Sequence, residues 1–314
     1  MIFDYSDVMN NEKIAQILAQ LLQIERGSEQ TRLYLLYNPY TSDNQSPLFD
    51  DWQASNAIYP ISYPDYASKR TPVLLELNRD DIAHQQILSE SLHQALSEIH
   101  PDKLSQFKPR KVYGWLLSSL SAQLLAQQIG YIAIQPRGQH QELIRYVDPM
   151  ILAPFMSILT EAQQNKVLRP VSNWLYLNGD GQLKTIQNPN KIRKHITPQL
   201  AILSDQWAQI DDIVVRNQVL TRYRKSLITA DRMQESECDK IIWQALKIAK
   251  ELGYTQLQDL IEYCYYSLTI HPRIMSHTKI INQIKNQSER LKTTLTRFSV
   301  QDWQEMKHDF EGIQ

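Results

Sequence analysis

The apolar residues of this chain change their repeat about two-thirds of the way along, and that change limits the fold more than any other feature. Up to Ile186, short apolar runs such as Arg32–Tyr37, Pro72–Leu77, Val112–Leu117 and Asn173–Leu177 read as strands, with helical segments between them. From about Pro198 onward only the 3.6-residue repeat remains. Ile241, Ile242, Ala245, Leu246, Ala249 and Leu252 form one stripe, and Leu257, Leu260, Ile261, Cys264 and Leu268 form another. The expected fold class is α/β, more closely α+β: a mixed β-sheet lobe with packed helices over residues 1–190, then an all-helical C-terminal lobe over 191–314. Asn188-Pro189-Asn190 marks the boundary, and 314 residues suit two domains of ordinary size. The formal charge is −1 overall, but the first lobe carries −4 and the second +3.

Within the first lobe the local signals are explicit. Ile14, Ile17, Leu18, Leu21 and Leu22 make an amphipathic helix, capped at Asn10 or Asn11 and closed by Gly27. A loop region follows from Pro39 to Pro64. Asp80 or Asp81 caps a long helix running to about Ile99, and a further helix covers Ser119–Gln128. Tyr131–Gln135 and Leu143–Val147 form a hairpin around Gly138. Asp148-Pro149 opens a helix twice over, because aspartate accepts free N–H groups and proline has no N–H to leave unpaired. Thr160-Glu161-Ala162-Gln163 is a capping box. Asn178-Gly179-Asp180-Gly181 turns Asn173–Leu177 back into Gln182–Ile186.

Composition narrows the function classes. Eight glycines are too few for the phosphate-cradling loops of nucleotide folds, and a net charge near zero excludes a grossly basic nucleic-acid coat. The chain begins Met1-Ile2-Phe3-Asp4, with acid where a secretory n-region would be basic. Its greasiest stretch, Val112–Ile134, is interrupted by Ser118, Gln123, Gln127 and Gly130. No targeting segment or membrane span is therefore expected. Cys238 and Cys264 read as reduced core thiols, which places the chain in the cytoplasm.

The search for catalytic chemistry finds no Walker loop, nucleophile elbow, dinucleotide fingerprint or zincin motif. His93 and His100 lie seven residues apart on one helix, about 10 Å at 1.5 Å per residue, too far for a shared metal, so no metal and no cofactor are expected. Adjacent acids at Asp50-Asp51, Asp80-Asp81 and Asp211-Asp212 read as caps or solvated groups. Arg216, Arg222, Arg224 and Lys225 come with no acid between them, and Arg273–Arg297 carries six bases against Glu289. Either stretch could track phosphates. Aromatic interleaving is sparse, and a solvated face or a patch for an acidic protein partner is the expectation. An enzyme or nucleic-acid binder using the basic helical lobe is the alternative.

Leu143-Ile144-Arg145-Tyr146-Val147-Asp148-Pro149, followed by Phe155 and by Asn173-Trp174-Leu175-Tyr176, resembles a bacterial domain-of-unknown-function family whose known members are type VI secretion adaptor chaperones of the Tap or Tec type. The likeness covers roughly residues 30–190. It departs at Met150, where the family has a second arginine, and it does not extend into the helical lobe. The resemblance implies a non-catalytic cytoplasmic adaptor that binds a toxic effector, loads it onto the VgrG spike and stays behind, a monomer until cargo binds and with no nucleic-acid or membrane partner. In that frame Arg145 and Asp148 are either an architectural pair, with Asp148 capping and Arg145 bonding across the junction, or a partner contact. Tyr146, Pro149 and Trp174 belong to the structural motif, with Trp174 in the core. Tyr263, Tyr265 and Tyr266 cannot all face one core from one helix. At least one is expected to be exposed, which makes them, with Arg216, Arg222, Arg224 and Lys225, the candidate cargo contacts.

Overall fold

The structure is a computed structural model that describes residues 5–26, 31–40, 52, 57–64, 70–78, 80–104, 106, 109–189, 199–226, 232–285 and 290–311. The chain divides into two compact units. One comprises Met1–Lys103 with Lys108–Trp207, the other Leu104–Phe107 with Ala208–Gln314. The change of character read near residue 190 falls beside residues 190–198, which lie outside the described residues.

The first unit is built on a six-stranded sheet. Its strands are β1 (Arg32–Tyr37), β2 (Tyr59–Pro60), β3 (Val73–Leu77), β4 (Val112–Ser118), β7 (Asn173–Leu177) and β8 (Leu183–Gln187), in the order β2-β3-β1-β4-β7-β8. A separate hairpin pairs β5 (Ile134–Arg137) with β6 (His140–Leu143). The interior strands read as unbroken apolar runs because both faces are covered: Leu33–Tyr37 and Val112–Ser118 are buried throughout. Helices α1 (Tyr5–Arg26) and α2 (Ile82–Glu98) pack against each other, and α2 lies on one face of the sheet. There Trp115 Nε1 donates to Ser91 Oγ at 3.0 Å and Tyr37 Oη to Gln94 Oε1 at 3.3 Å. On the opposite face, α4 (Ala122–Ala133) and α5 (Pro149–Ile158) cover Tyr34, Leu116 and Trp174, which share that side by strand register. Short helices α3 (Pro101–Leu104) and α6 (Glu161–Leu168) complete this part of the chain.

The expected class, a sheet lobe with interspersed helices followed by an all-helical region, is what the chain forms. One detail of the sheet differs: each of its strand pairings is antiparallel. Helix α2 does join two strands that run the same way, β3 and β4, as a crossover should. But β1 lies between them and pairs with both, so no parallel ladder forms. The hairpin at Gly138 is also shifted by about three residues from its expected position. Tyr131–Ala133 continue α4, because Leu125, Ile129, Ile132 and Ala133 keep the helical repeat on the buried face. Gly138 takes φ +61° in the turn, the conformation that favours glycine.

Asn10 and Asn11, expected to cap the first helix, instead lie inside α1, which begins at Tyr5, and Gly27 lies outside the described residues; the caps of α2 and α6 are where the sequence places them. Asp81 accepts from the N–H groups of Ala83 and His84 at 2.8 and 3.4 Å. Thr160 and Gln163 close the capping box of α6 reciprocally. Gln163 also exchanges amide hydrogen bonds with Gln206 at 2.8 and 2.9 Å, and Gln206 Nε2 reaches Ile158 O at 3.0 Å.

The second unit is helical. It contains most of α7 (Ser204–Ser226), then α8 (Glu235–Glu251), α9 (Leu257–Thr269), a 3₁₀ turn at Ile274–Ser276, α10 (Thr278–Lys285), α11 (Leu291–Leu295) and α12 (Val300–Glu311). Its core gathers Val219, Leu220, Ile242, Leu246, Cys264, Ile280, Leu295 and Met306. The two stripes read from sequence are buried except at their ends. Leu252 lies just past α8 and Leu257 opens α9, and both are exposed. Among the described residues, no helix is long and apolar enough to cross a membrane.

Candidate functional site

The signature segment sits where β6 runs into α5. Asp148 Oδ1 accepts the Met150 N–H at 2.9 Å, and buried Pro149 occupies the first helical turn. Tyr146 is fully buried. Its ring packs against Phe155 and Trp174 at centroid distances of 5.9 and 5.7 Å, and its hydroxyl donates to Ile129 O at 3.3 Å. Trp174 is fully buried on β7, with no hydrogen-bond partner for its Nε1 among the described residues. The segment thus joins hairpin, helix and sheet through a single aromatic cluster.

Arg145 behaves differently from the cross-junction bond expected of it. It is exposed and forms no side-chain hydrogen bond to another described residue. The structural cation is Arg110, which is buried and donates from Nη1 to Leu177 O at 2.7 Å. Burial holds the Asp148 carboxyl above the ordinary aspartate range. The Met150 N–H and the positive charges of Arg110 and Arg145 oppose that rise. Burial and then the Asp148 charge push the Tyr113 phenol up, while Asn38 Nδ2 donates to its oxygen at 3.0 Å. Burial pushes Tyr63 up to about 12, opposed by Arg145. These phenols stay protonated at neutral pH, so the cluster is a set of fixed hydrogen-bonding groups. Arg110, Tyr113 and Tyr63 carried no signal in the sequence, because Tyr63 comes from a segment far from Arg110 and Tyr113, which flank the start of β4, and only the fold brings them together.

The basic run of the helical lobe is not the solvated patch expected. Arg216 is 1% exposed and forks onto two acids of α8. Its Nε reaches Asp239 Oδ1 at 2.7 Å, and its Nη2 reaches Asp239 Oδ2 at 2.9 Å and Glu235 Oε1 at 2.7 Å. Arg224, also buried, donates to Glu235 Oε2 at 2.8 Å. Burial by itself would lower the Arg216 pKa, but Glu235 and Asp239 outweigh it and hold the guanidinium charged. Arg222 bonds Glu262 at 2.7 Å, and Lys225 is exposed. A signal for this was present. Arg216 and Arg224 are eight residues apart, two turns along the face that carries Val219, Leu220 and Tyr223, and Glu235 and Asp239 are spaced i, i+4 on α8.

None of the three tyrosines is exposed, contrary to expectation, because α9 is packed on several sides. Tyr263 is buried against Tyr254 at 5.8 Å, and burial pushes its phenol up to about 12. Tyr265 lies under the Arg222 guanidinium at 3.7 Å, and Tyr266 stacks on Trp303 at 4.6 Å. Cys238 and Cys264 are buried and form no disulfide among the described residues, and burial pushes the Cys264 thiol up. His93 is exposed on α2, and His100, expected on the same helix, is exposed just past its end. Among the described residues, no three His, Cys, Asp or Glu side chains are grouped so as to hold a metal ion. Compared with known proteins, the chain matches no family model, no curated protein and no solved structure.

Proposed function

We propose that this chain is a non-catalytic adaptor chaperone of bacterial type VI secretion, binding an effector in the cytoplasm and loading it onto the VgrG spike. The observation that supports this reading is the single unit made by the signature residues: Asp148 caps α5 and Tyr146 packs between Phe155 and Trp174. Residues that resemble a family signature therefore act as one architectural device in the sheet lobe. On this reading the sheet lobe carries what such adaptors share, including the spike-facing surface, and the helical lobe chooses the cargo.

The cargo contacts fall to exposed groups rather than to Arg216 and Arg224, whose charges are spent on Glu235 and Asp239. Lys225, Arg273, Lys292 and Arg297 are exposed bases of that lobe, suited to an acidic cargo surface. The test is co-expression of the full chain with the product of a neighbouring effector gene, followed by size exclusion at moderate salt. A stable complex is expected. Independent elution of the two proteins at micromolar concentration refutes the adaptor reading, and retardation of DNA or RNA that fades steeply with salt supports the nucleic-acid alternative instead.

A further inference from the structure

The large sheet ends in β2 on one side and β8 on the other, and these edges are built differently. At β2, Ile61 N–H donates to Pro72 O at 2.9 Å and Tyr59 pairs with Leu74, so both turn their main-chain groups inward to β3. Pro60, between them, faces outward and has no N–H to offer an added strand. At β8 the edge is open. Asn188 N–H donates to Ser172 O at 2.8 Å and Asn178 N–H to Gln182 O at 3.1 Å, so the alternate residues between them, Lys184 and Ile186, bond β7. Leu183, Thr185 and Gln187 therefore direct their N–H and C=O groups away from the sheet. Among the described residues these groups meet no hydrogen-bond partner.

An open edge is a template for a further strand. β8 is five residues long, holds neither proline nor glycine, and carries Lys184 as its one charge. Lys184, Thr185 and Gln187 are exposed, while Leu183 and Ile186 are half-buried. The strand is also complementary to itself. With a second copy running antiparallel and centred on Thr185, Leu183 lies opposite the partner's Gln187 and Thr185 opposite the partner's Thr185. Each such pair exchanges two hydrogen bonds, and a central threonine pair is a favourable cross-strand contact. On the face shared with Trp174, Lys184 lies opposite the partner's Ile186. Its aliphatic stem then covers an apolar side chain, and the two ammonium groups sit on a diagonal rather than opposite each other.

We propose that β8 pairs with β8 of a second copy of this chain about a twofold axis at Thr185, joining the two sheets into one. The occupant is a second copy because this register satisfies each outward N–H and C=O of the edge and sets no like charges face to face. The inference departs from the monomer that the resemblance implies. It does not depend on the adaptor reading, because the edge belongs to this chain whatever its cargo.

The experiment is sedimentation equilibrium of the full chain from about 2 to about 200 µM, since a five-residue ladder buries less than the roughly 1,200 Å² of a stable complex and associates in a concentration-dependent way. The average mass is expected to rise towards twice that of the chain. Thr185→Pro removes an N–H that β7 does not use. It should leave the thermal transition nearly unchanged and weaken association at least about tenfold, because both bonds of the central pair are lost. Thr185→Cys reads the register. Hydrogen-bonded partners lie about 5.5 Å apart between Cα atoms, within disulfide reach, so mild oxidation should link two copies. Lys184→Cys should not cross-link, since its diagonal separation exceeds about 7 Å. Cys238 and Cys264 are buried and do not compete. A single-chain mass at every concentration, association that survives Thr185→Pro, or cross-linking by Lys184→Cys as readily as by Thr185→Cys overturns the proposal. Should Thr185→Pro not fold, the mass of the unaltered chain and the cross-linking comparison decide.

Discussion

Replacing Arg216 with methionine removes the one guanidinium shared by Glu235 and Asp239 while keeping a side chain of similar length and an apolar stem. Arg216 is 1% exposed at its side chain, and the two carboxylates are 14% and 27% exposed. After the change, Glu235 keeps Arg224 at 2.8 Å, but Asp239 loses both of its bonds to Arg216. Removing one partner of a buried pair costs about 3–5 kcal/mol, because the other charge is left without water or counter-charge. Partial access of Asp239 to solvent and the surviving Arg224 bond set the expectation at the lower end, about 3 kcal/mol. For a unit of roughly 100 residues this lowers the helical unit's transition by roughly 10–20 °C. Differential scanning calorimetry of the full chain reads it directly, and Arg216→Lys should fall between, retaining charge but not the fork. Arg216→Met/Asp239→Leu should lose less than the sum of the single changes, since the stranded carboxylate is removed with its partner. A loss below about 1 kcal/mol in Arg216→Met, as for an exposed ion pair, would show that the network contributes nothing to holding α7 on α8.

Asp148 gives a pH-dependent expectation. Its folded pKa lies above the unfolded value, so the folded chain keeps a proton that the unfolded chain has released. That contribution to stability is complete below the unfolded value and is lost as pH rises through the folded one. Asp148→Asn keeps a cap acceptor without the charge, and its stability relative to the parent should rise as pH increases above about 4, the ordinary aspartate value. Identical thermal transitions at every pH refute this. Asp148→Ala should cost about 0.5–2 kcal/mol through the lost cap and should weaken cargo binding only in proportion; full stability with binding abolished would make it a contact residue instead. Gly130→Ala should destabilise the sheet lobe by about 1–3 kcal/mol in denaturant titration, because an added Cβ would lie 1.9 Å from Ser62 O, and an unchanged midpoint would contradict that close approach. Exchanging residues 208–314 with those of a related adaptor should transfer effector choice in a pull-down, and choice that follows the first unit reverses the proposed division of labour.

Several elements were legible because their information is local. Asp81, Asp148 and the Thr160–Gln163 box stop or start helices through bonds spanning two or three residues, so the spacing alone is enough. The hairpin of β7 and β8 follows from Asn178-Gly179-Asp180-Gly181 for the same reason. Tyr131–Ile134 was not legible in this way. A four-residue apolar run fits a strand and a buried helix equally well, and the packing of Ile129 and Ile132 decided for helix as far as Ala133.

By itself the sequence determined the class, a sheet lobe followed by a helical one, since the hydrophobic period states which face of each element seeks the core. Tertiary structure alone decided the strand order and where the charges go. Inserting β1 between β3 and β4 makes every ladder of the large sheet antiparallel, although the helical crossover between those two strands reads the same in either arrangement. The same holds for Arg216 and Arg224. A run of arginines without a neighbouring acid looks like a basic surface, but Glu235 and Asp239 arrive from the next helix and neutralise it. Electrostatic partners depend on distance in space, falling off with separation and dielectric, and one-dimensional spacing records that distance only within a single element.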